Sequence, residues 1–182
     1  MQFSYNILSG DVVNLYGFCL GQNMPIGNFK WVDWDLQTLH STATSYELKS
    51  STGYMVEVDI EIPPELHDYF KDYPPIAEHL IISEEMLSPY TKKIKEHLNL
   101  KSYNNRKLAP NLLPKKGYVC HILNVQLLLE LGCVITDVHR VLQFDQKDYL
   151  ESYIQHNTDK RRNSKSKAEK GFFKLMINSL YG

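Results

Sequence analysis

The sequence predicts an α+β chain in which an antiparallel sheet carries helices and a pair of helices follows it. Three observations predict this. Residues Tyr54 to Ile62 alternate apolar and acidic with a period of two and stop at Pro63-Pro64, the pattern of a strand with one dry and one wet face. Residues Tyr118 to Gly132 are densely apolar through Val119, Ile122, Leu123, Val125, Leu127, Leu128 and Leu131, and read as a helix ended by glycine. Residues Lys160 to Tyr181 place Lys167, Lys170, Lys174, Asn178 and Tyr181 three or four apart, on one face of a second helix. With 182 residues, 43% hydrophobic and 23% charged, the chain can form one core or part of a larger one.

Taken in order, Tyr5 to Leu8 reads as a short strand leading to Asp11. A carboxylate at a strand end can hold a hard cation such as Mg²⁺, although Gly10-Asp11 is also an ordinary turn pair. The aromatics of Met24 to Trp34 are expected to fill core space. On the strand at Tyr54 to Ile62, the row Glu57, Asp59, Glu61 can bind a metal, but the wet side of a sheet is the commoner reason for such a row. Pro74-Pro75 and Pro89 break Glu65 to Pro89 into loops and short helices, and Thr91 to Leu98 forms one short helix. Lys101 to Lys116 is basic and turn-rich, suited either to a phosphate backbone or to an exposed connector. Cys120-His121 is expected to pack, Val134 to Phe144 to form a strand with a structural His139, and Asn157-Thr158-Asp159 to form a capping turn before the last helix.

The formal net charge is −1, but acidic residues crowd Asp33 to Glu85 while Lys92 to Lys116 and Lys160 to Lys174 are basic, which allows local contact with nucleic acid. Cys19, Cys120 and Cys133 are far apart, so neither a disulfide framework nor a zinc knuckle is expected, and a reducing, intracellular compartment is. The most apolar stretch, Leu127 to Ile135, is too short for a membrane span and carries Glu130; no membrane partner is expected. P-loop, dinucleotide, nucleophile-elbow and zinc-protease motifs are absent.

The lysine row ending in Asn178 and Tyr181 suits a polyanion with something flat at one end, as in a nucleoside triphosphate. The plainer alternative is a solvated helix face closed by Gly182. Lys174-x-x-x-Asn178-Ser179-x-Tyr181-Gly182 matches the fingers motif of family B DNA polymerases. Asp11-Val12-Val13-Asn14-Leu15-Tyr16-Gly17 resembles the palm motif Asp-x-x-Ser-Leu-Tyr-Pro, departing at Asn14 and Gly17 as the protein-primed branch of viruses, organellar plasmids and Maverick-type transposons does. Leu113 to Val119, His139 to Phe144 and Phe172 to Asn178 also resemble the transposon polymerases.

The resemblance implies a partial palm with a loop-rich insertion over residues 1–144, fingers helices over 145–182, and a DNA-directed DNA polymerase that adds dNTPs to a DNA 3′ end or a protein primer. It implies Mg²⁺ at Asp11 and Val12, with Asp11 catalytic. Leu15 and Tyr16 would meet the sugar, Tyr16 excluding a 2′-hydroxyl. Arg162, Lys170, Lys174, Asn178 and Tyr181 would hold the rest of the nucleotide. Ser179, Gly182, Lys115 and Lys116 would face DNA. Its partners would be template-primer DNA, dNTPs and a terminal priming protein, in the nucleus ahead of the mitochondrion. The family's third palm motif would lie beyond Gly182, so the 182-residue chain alone is expected to have negligible polymerase activity and a poor grip on duplex. The alternatives are an inactive remnant that only binds nucleotide or nucleic acid, and a soluble α+β interaction domain.

Overall fold

The computed structural model describes residues 14–101 and 105–180. The expected strand at Tyr5 to Leu8 lies outside them, as do Asp11, Val12, Tyr181 and Gly182. The chain divides into two compact units, one comprising Trp31–Tyr46 and Tyr54–Leu142, the other the remaining segments.

In the Trp31–Leu142 unit, strand β2 (Thr52–Glu61) pairs antiparallel with β5 (Lys115–His121), Val56 opposite Cys120 and Val58 opposite Tyr118, with an irregularity between Val58 and Ile60. Alternation sends Val56, Val58 and Ile60 to the core, where they are fully buried. Helices α2 (Leu36–Thr44) and α5 (Ile122–Glu130) contribute Leu39, Ala43, Ile122, Val125 and Leu128 to the same core. Each helix starts on a side-chain cap: Thr38 N–H donates to Asp35 Oδ1 at 2.8 Å, and Leu123 N–H to His121 Nδ1 at 3.2 Å.

After the short α3 (His67–Phe70), β3 (Ala77–Ile81) pairs antiparallel with β4 (Arg106–Pro110), and α4 (Pro89–His97) lies between them in sequence. With β1 (Met24–Val32) and β6 (Val134–Lys147), the order in the four-stranded sheet is β1-β6-β2-β5.

The other unit holds α1 (Leu15–Leu20), α6 (Glu151–Asn163) and α7 (Lys167–Asn178), which pack on one another. Ile154 and Ile177 are buried there, and Tyr153 Oη donates to the Met176 carbonyl at 3.2 Å, tying α6 to the end of α7. Gly53 lies so close under the Phe144 ring that no Cβ fits between them.

The α+β class with an antiparallel sheet is what the structure has, and several sequence expectations are corrected in detail. The expected helix over Tyr118 to Gly132 begins only at Ile122, because Tyr118 to His121 is spent on pairing with β2. Asn157-Thr158-Asp159 is no turn but the middle of α6. The break falls later, where Ser166 accepts from Glu169 N–H and Glu169 reaches back to the Ser166 N–H. The proline-punctuated region and the basic connector supply β3 and β4. Phe29 and Trp31 are exposed instead of filling the core, the Trp31 ring lying 5.5 Å from the Arg140 guanidinium carbon. Trp34 packs on the core, its ring centroid 4.7 Å from that of Tyr54.

Candidate functional site

The last turn of α6 carries Arg161 and Arg162, and Thr158 sits one turn earlier. The loop 164–166 is short, so the first turns of α7 return Lys170 to the same place. Asn14, just before α1, completes an open cleft of about 340 Å³ lined by Asn14, Thr158, Arg161, Arg162 and Lys170. Three of these residues are cations and none is a carboxylate, so the charged groups that line the cleft attract an anion. Asp159 lies 3.7 Å from Arg162 on the exposed side of α6 and offsets little of that charge. Among the described residues the buried Thr158 hydroxyl has no hydrogen-bond partner.

Of the expected nucleotide residues, the structure brings Arg162 and Lys170 together. Lys174 is exposed one turn further along α7, and Asn178 is exposed at its end; neither lines the cleft. Ser179 is exposed, its Oγ donating to the Met176 carbonyl at 3.1 Å. Leu15 and Tyr16 are exposed on α1, Tyr16 by 59%. Sequence reasoning missed Arg161, Thr158 and Asn14. The first two are visible only once α6 is known to run to Asn163, whereas Asn14 was marked by its departure from the palm motif.

The basic connector behaves differently from expectation. Lys115, expected to face DNA, is 1% exposed; its Nζ donates to the Leu113 carbonyl and Asn111 Oδ1, both at 2.5 Å, and lies 3.0 Å from Glu78. A buried lysine held this way is not presented to a phosphate backbone. Lys116 is exposed, and its Nζ lies 2.7 Å from Asp59 Oδ2.

Asp59 is the centre of a second polar cluster. Its Oδ1 also accepts from the Gly117 N–H at 2.8 Å and meets His139 Nε2 at 2.7 Å. The Lys116 ammonium first, then His139 and Gly117, hold its carboxyl well below the usual carboxylate range. The same contact with Asp59 raises the pKa of His139 above its ordinary value and that of Lys116 likewise. His139 therefore has a carboxylate partner after all, 80 residues away in sequence.

Asp59, Asp137 and His139 offer ligand atoms within 4.8 Å of one another. They do not suit Mg²⁺: that ion takes oxygen ligands in near-octahedral geometry, whereas Asp59 already spends its oxygens on an ammonium, an imidazole and an amide. On the same strand, Glu57 accepts from Arg140 Nε. The acidic row is not the wholly wet face that its pattern suggests: Asp59 is buried and paired, Glu57 is half-buried against Arg140, and Glu61 is exposed.

A family profile described as DNA polymerase type B, organellar and viral, matches residues 1–182. No curated protein matches the chain. Among solved structures, Phi29 DNA polymerase in an orthorhombic crystal form is similar over 94% of this chain and 25% of that one, with 17% identity and a TM-score of 0.51. Phi29 DNA polymerase complexed with primer-template DNA and incoming nucleotide substrates gives a TM-score of 0.46 at 17% identity over the same shares. The chain thus spans about a quarter of the polymerase it is similar to. Among the described residues no helix is long and apolar enough to cross a membrane.

Proposed function

The chain belongs to the organellar and viral type B DNA polymerases, and from that premise we propose that it carries palm and fingers elements of a DNA-directed DNA polymerase whose cationic cleft takes the triphosphate of an incoming dNTP. The observation that carries this reading is the convergence of Arg161, Arg162 and Lys170 on one carboxylate-free cleft. Catalysis of phosphoryl transfer consists largely of placing fixed positive charge where negative charge develops, and such a cleft supplies it.

In this reading residues 1–144 are palm with its insertion and 145–182 are fingers. Arg162 and Lys170 grip phosphate oxygens, the arginine as a planar fork and the lysine as a point charge. Lys174 and Asn178 continue the same helix toward the sugar and base. Tyr16, on α1, closes the space that a 2′-hydroxyl would need. Template-primer DNA is the second substrate, and a terminal priming protein supplies the first hydroxyl. Mg²⁺ held at Asp11 and Val12 would neutralise phosphate charge and activate the attacking oxygen.

Equilibrium binding of a dNTP to the chain, followed by calorimetry, tests the reading. Loss of either Arg162 or Lys170 to alanine is expected to weaken binding by about tenfold or more, the worth of one hydrogen bond to a charged group. Wild-type affinity in both variants would overturn it. Primer extension with Mg²⁺, comparing the wild type with Asp11→Ala, then separates a working polymerase from a chain that only binds nucleotide.

A further inference from the structure

The sheet face that points away from the core carries a row of side chains. Glu57 lies between the buried Val56 and Val58 on β2, so alternation turns it outward, and it stands opposite the exposed Val119 of β5. On the neighbouring strand β6, Arg140 Nε donates to Glu57 Oε2, and the guanidinium lies over the exposed Trp31 ring of β1. Trp31, Arg140, Glu57 and Val119 thus follow one another across all four strands, within the Trp31–Leu142 unit.

Charge on this face is sorted by depth. The Glu57 and Asp59 side chains are 23% and 8% exposed, whereas their partners Arg140 and Lys116 are 64% and 71% exposed. Each pair is a dipole with its positive end outward, so a ligand arriving from solvent meets cations before carboxylates. The exposed Glu61 and Asp137 act on Lys116 and offset it, so Arg140 is the cation the row offers. Because Glu57 holds Arg140 through Nε, the planar group stays over the indole and its two terminal nitrogens are left for a ligand. A guanidinium fixed on an aromatic ring presents a flat surface and fixed donors together, which is what an unpaired base and its phosphate require. Duplex DNA hides its base faces in its own stack.

Resting on the reading of template-primer DNA as a substrate, we propose that this row is a docking surface for single-stranded DNA, on which a base stacks against Trp31 and Arg140 and the adjacent phosphate meets the Arg140 terminal nitrogens. Glu57 is a positioning residue that acts through Arg140.

The chain has two tryptophans, so Trp34→Phe leaves Trp31 as the sole fluorophore. In that background a short oligothymidylate is titrated, binding being followed by anisotropy of a label on the strand and stacking by quenching of Trp31, with circular dichroism confirming that each variant is folded. Oligothymidylate is expected to quench Trp31, and an abasic strand of the same length to bind about tenfold more weakly without quenching. Arg140→Lys keeps the charge but loses the plane and is expected to weaken binding by about tenfold; Trp31→Leu, read by anisotropy, likewise. Glu57→Leu removes a negative charge, which alone would tighten an anion, yet it is expected to weaken binding because Arg140 is no longer held; Glu57→Gln keeps an acceptor and restores it. Tighter binding in Glu57→Leu would overturn the positioning role. No binding, binding without quenching, or wild-type affinity in both Arg140→Lys and Trp31→Leu would overturn the proposal. Trp31 emission that changes with protein concentration alone, together with a dimer in sedimentation, would give the face to a second copy of the chain instead. Titration with inorganic tripolyphosphate reads the cationic cleft separately: undiminished binding in Arg162→Ala and Lys170→Ala would remove the cleft reading and leave this one standing, since the two share no residue.

Discussion

A buried aspartate that faces a lysine and a histidine makes part of the chain's stability respond to pH at single residues. The pKa of His139 is raised by Asp59, so below about 6.5 the imidazole is protonated in both folded and unfolded chains and the pair contributes in full. As pH rises through the folded value, that contribution is lost. Asp59 runs the other way: its depressed pKa contributes above the ordinary carboxylate range and is lost as pH falls through the folded value. The denaturant midpoint is therefore expected to decline as pH rises from the ordinary imidazole value through the raised folded value of His139, and to decline less in His139→Gln. An identical slope in that variant would show that the pair is not what titrates. None of this was legible from spacing, because the partners sit on strands 80 residues apart and only sheet pairing joins them. A second residue-level consequence concerns Gly53, whose absent Cβ is filled by the Phe144 ring. Gly53→Ala overpacks that contact and is expected to cost about 1–3 kcal/mol in urea denaturation. A change within error would mean that the ring can step aside.

At the scale of elements, local chemistry competed with pairing, and pairing won where a partner strand was available. Tyr118 to His121 has enough apolar character to extend the following helix, but its β-branched and aromatic residues suit β5, and Val56 and Val58 on β2 give it a partner. Helix capping was legible in a different place from where it was sought. Asn157-Thr158-Asp159 has capping chemistry, yet Asn157 Nδ2 donates back to the Tyr153 carbonyl at 2.9 Å and stays within α6. The Ser166-Lys-Ala-Glu169 spacing is the true start signal, and its reciprocal bonds fix where α7 begins and hence where Lys170 points. Ser166→Ala is expected to cost about 1 kcal/mol of stability. It should also weaken tripolyphosphate binding, since a frayed first turn no longer holds Lys170 beside Arg161 and Arg162. Full stability with unchanged binding in Ser166→Ala would mean that α7 is held by its packing on α6 alone.

For the whole chain, the motifs carried the family while the structure carried the geometry. Lys174-x-x-x-Asn178-Ser179-x-Tyr181-Gly182 was readable without coordinates, but a linear pattern does not say which of its lysines faces a cleft; Lys170 does and Lys174 does not. The cysteines make the distinction between a wet surface and a dry core measurable across the chain. Cys19 is exposed on α1, whereas Cys120 and Cys133 are buried in the core built on β2 and β5. Burial pushes the Cys120 thiol up to about 11 and raises Cys133 as well, so neither offers a thiolate near neutral pH. A disulfide reagent added to the native chain is expected to find one reactive thiol, and all three once denaturant has unfolded it. The two slow thiols then become reporters: the denaturant concentration at which they react should coincide with the loss of circular dichroism from the Trp31–Leu142 unit. Fast reaction of a second thiol in the native chain would show that the sheet opens around Cys120 or Cys133 without unfolding, and that the core is looser than its packing implies.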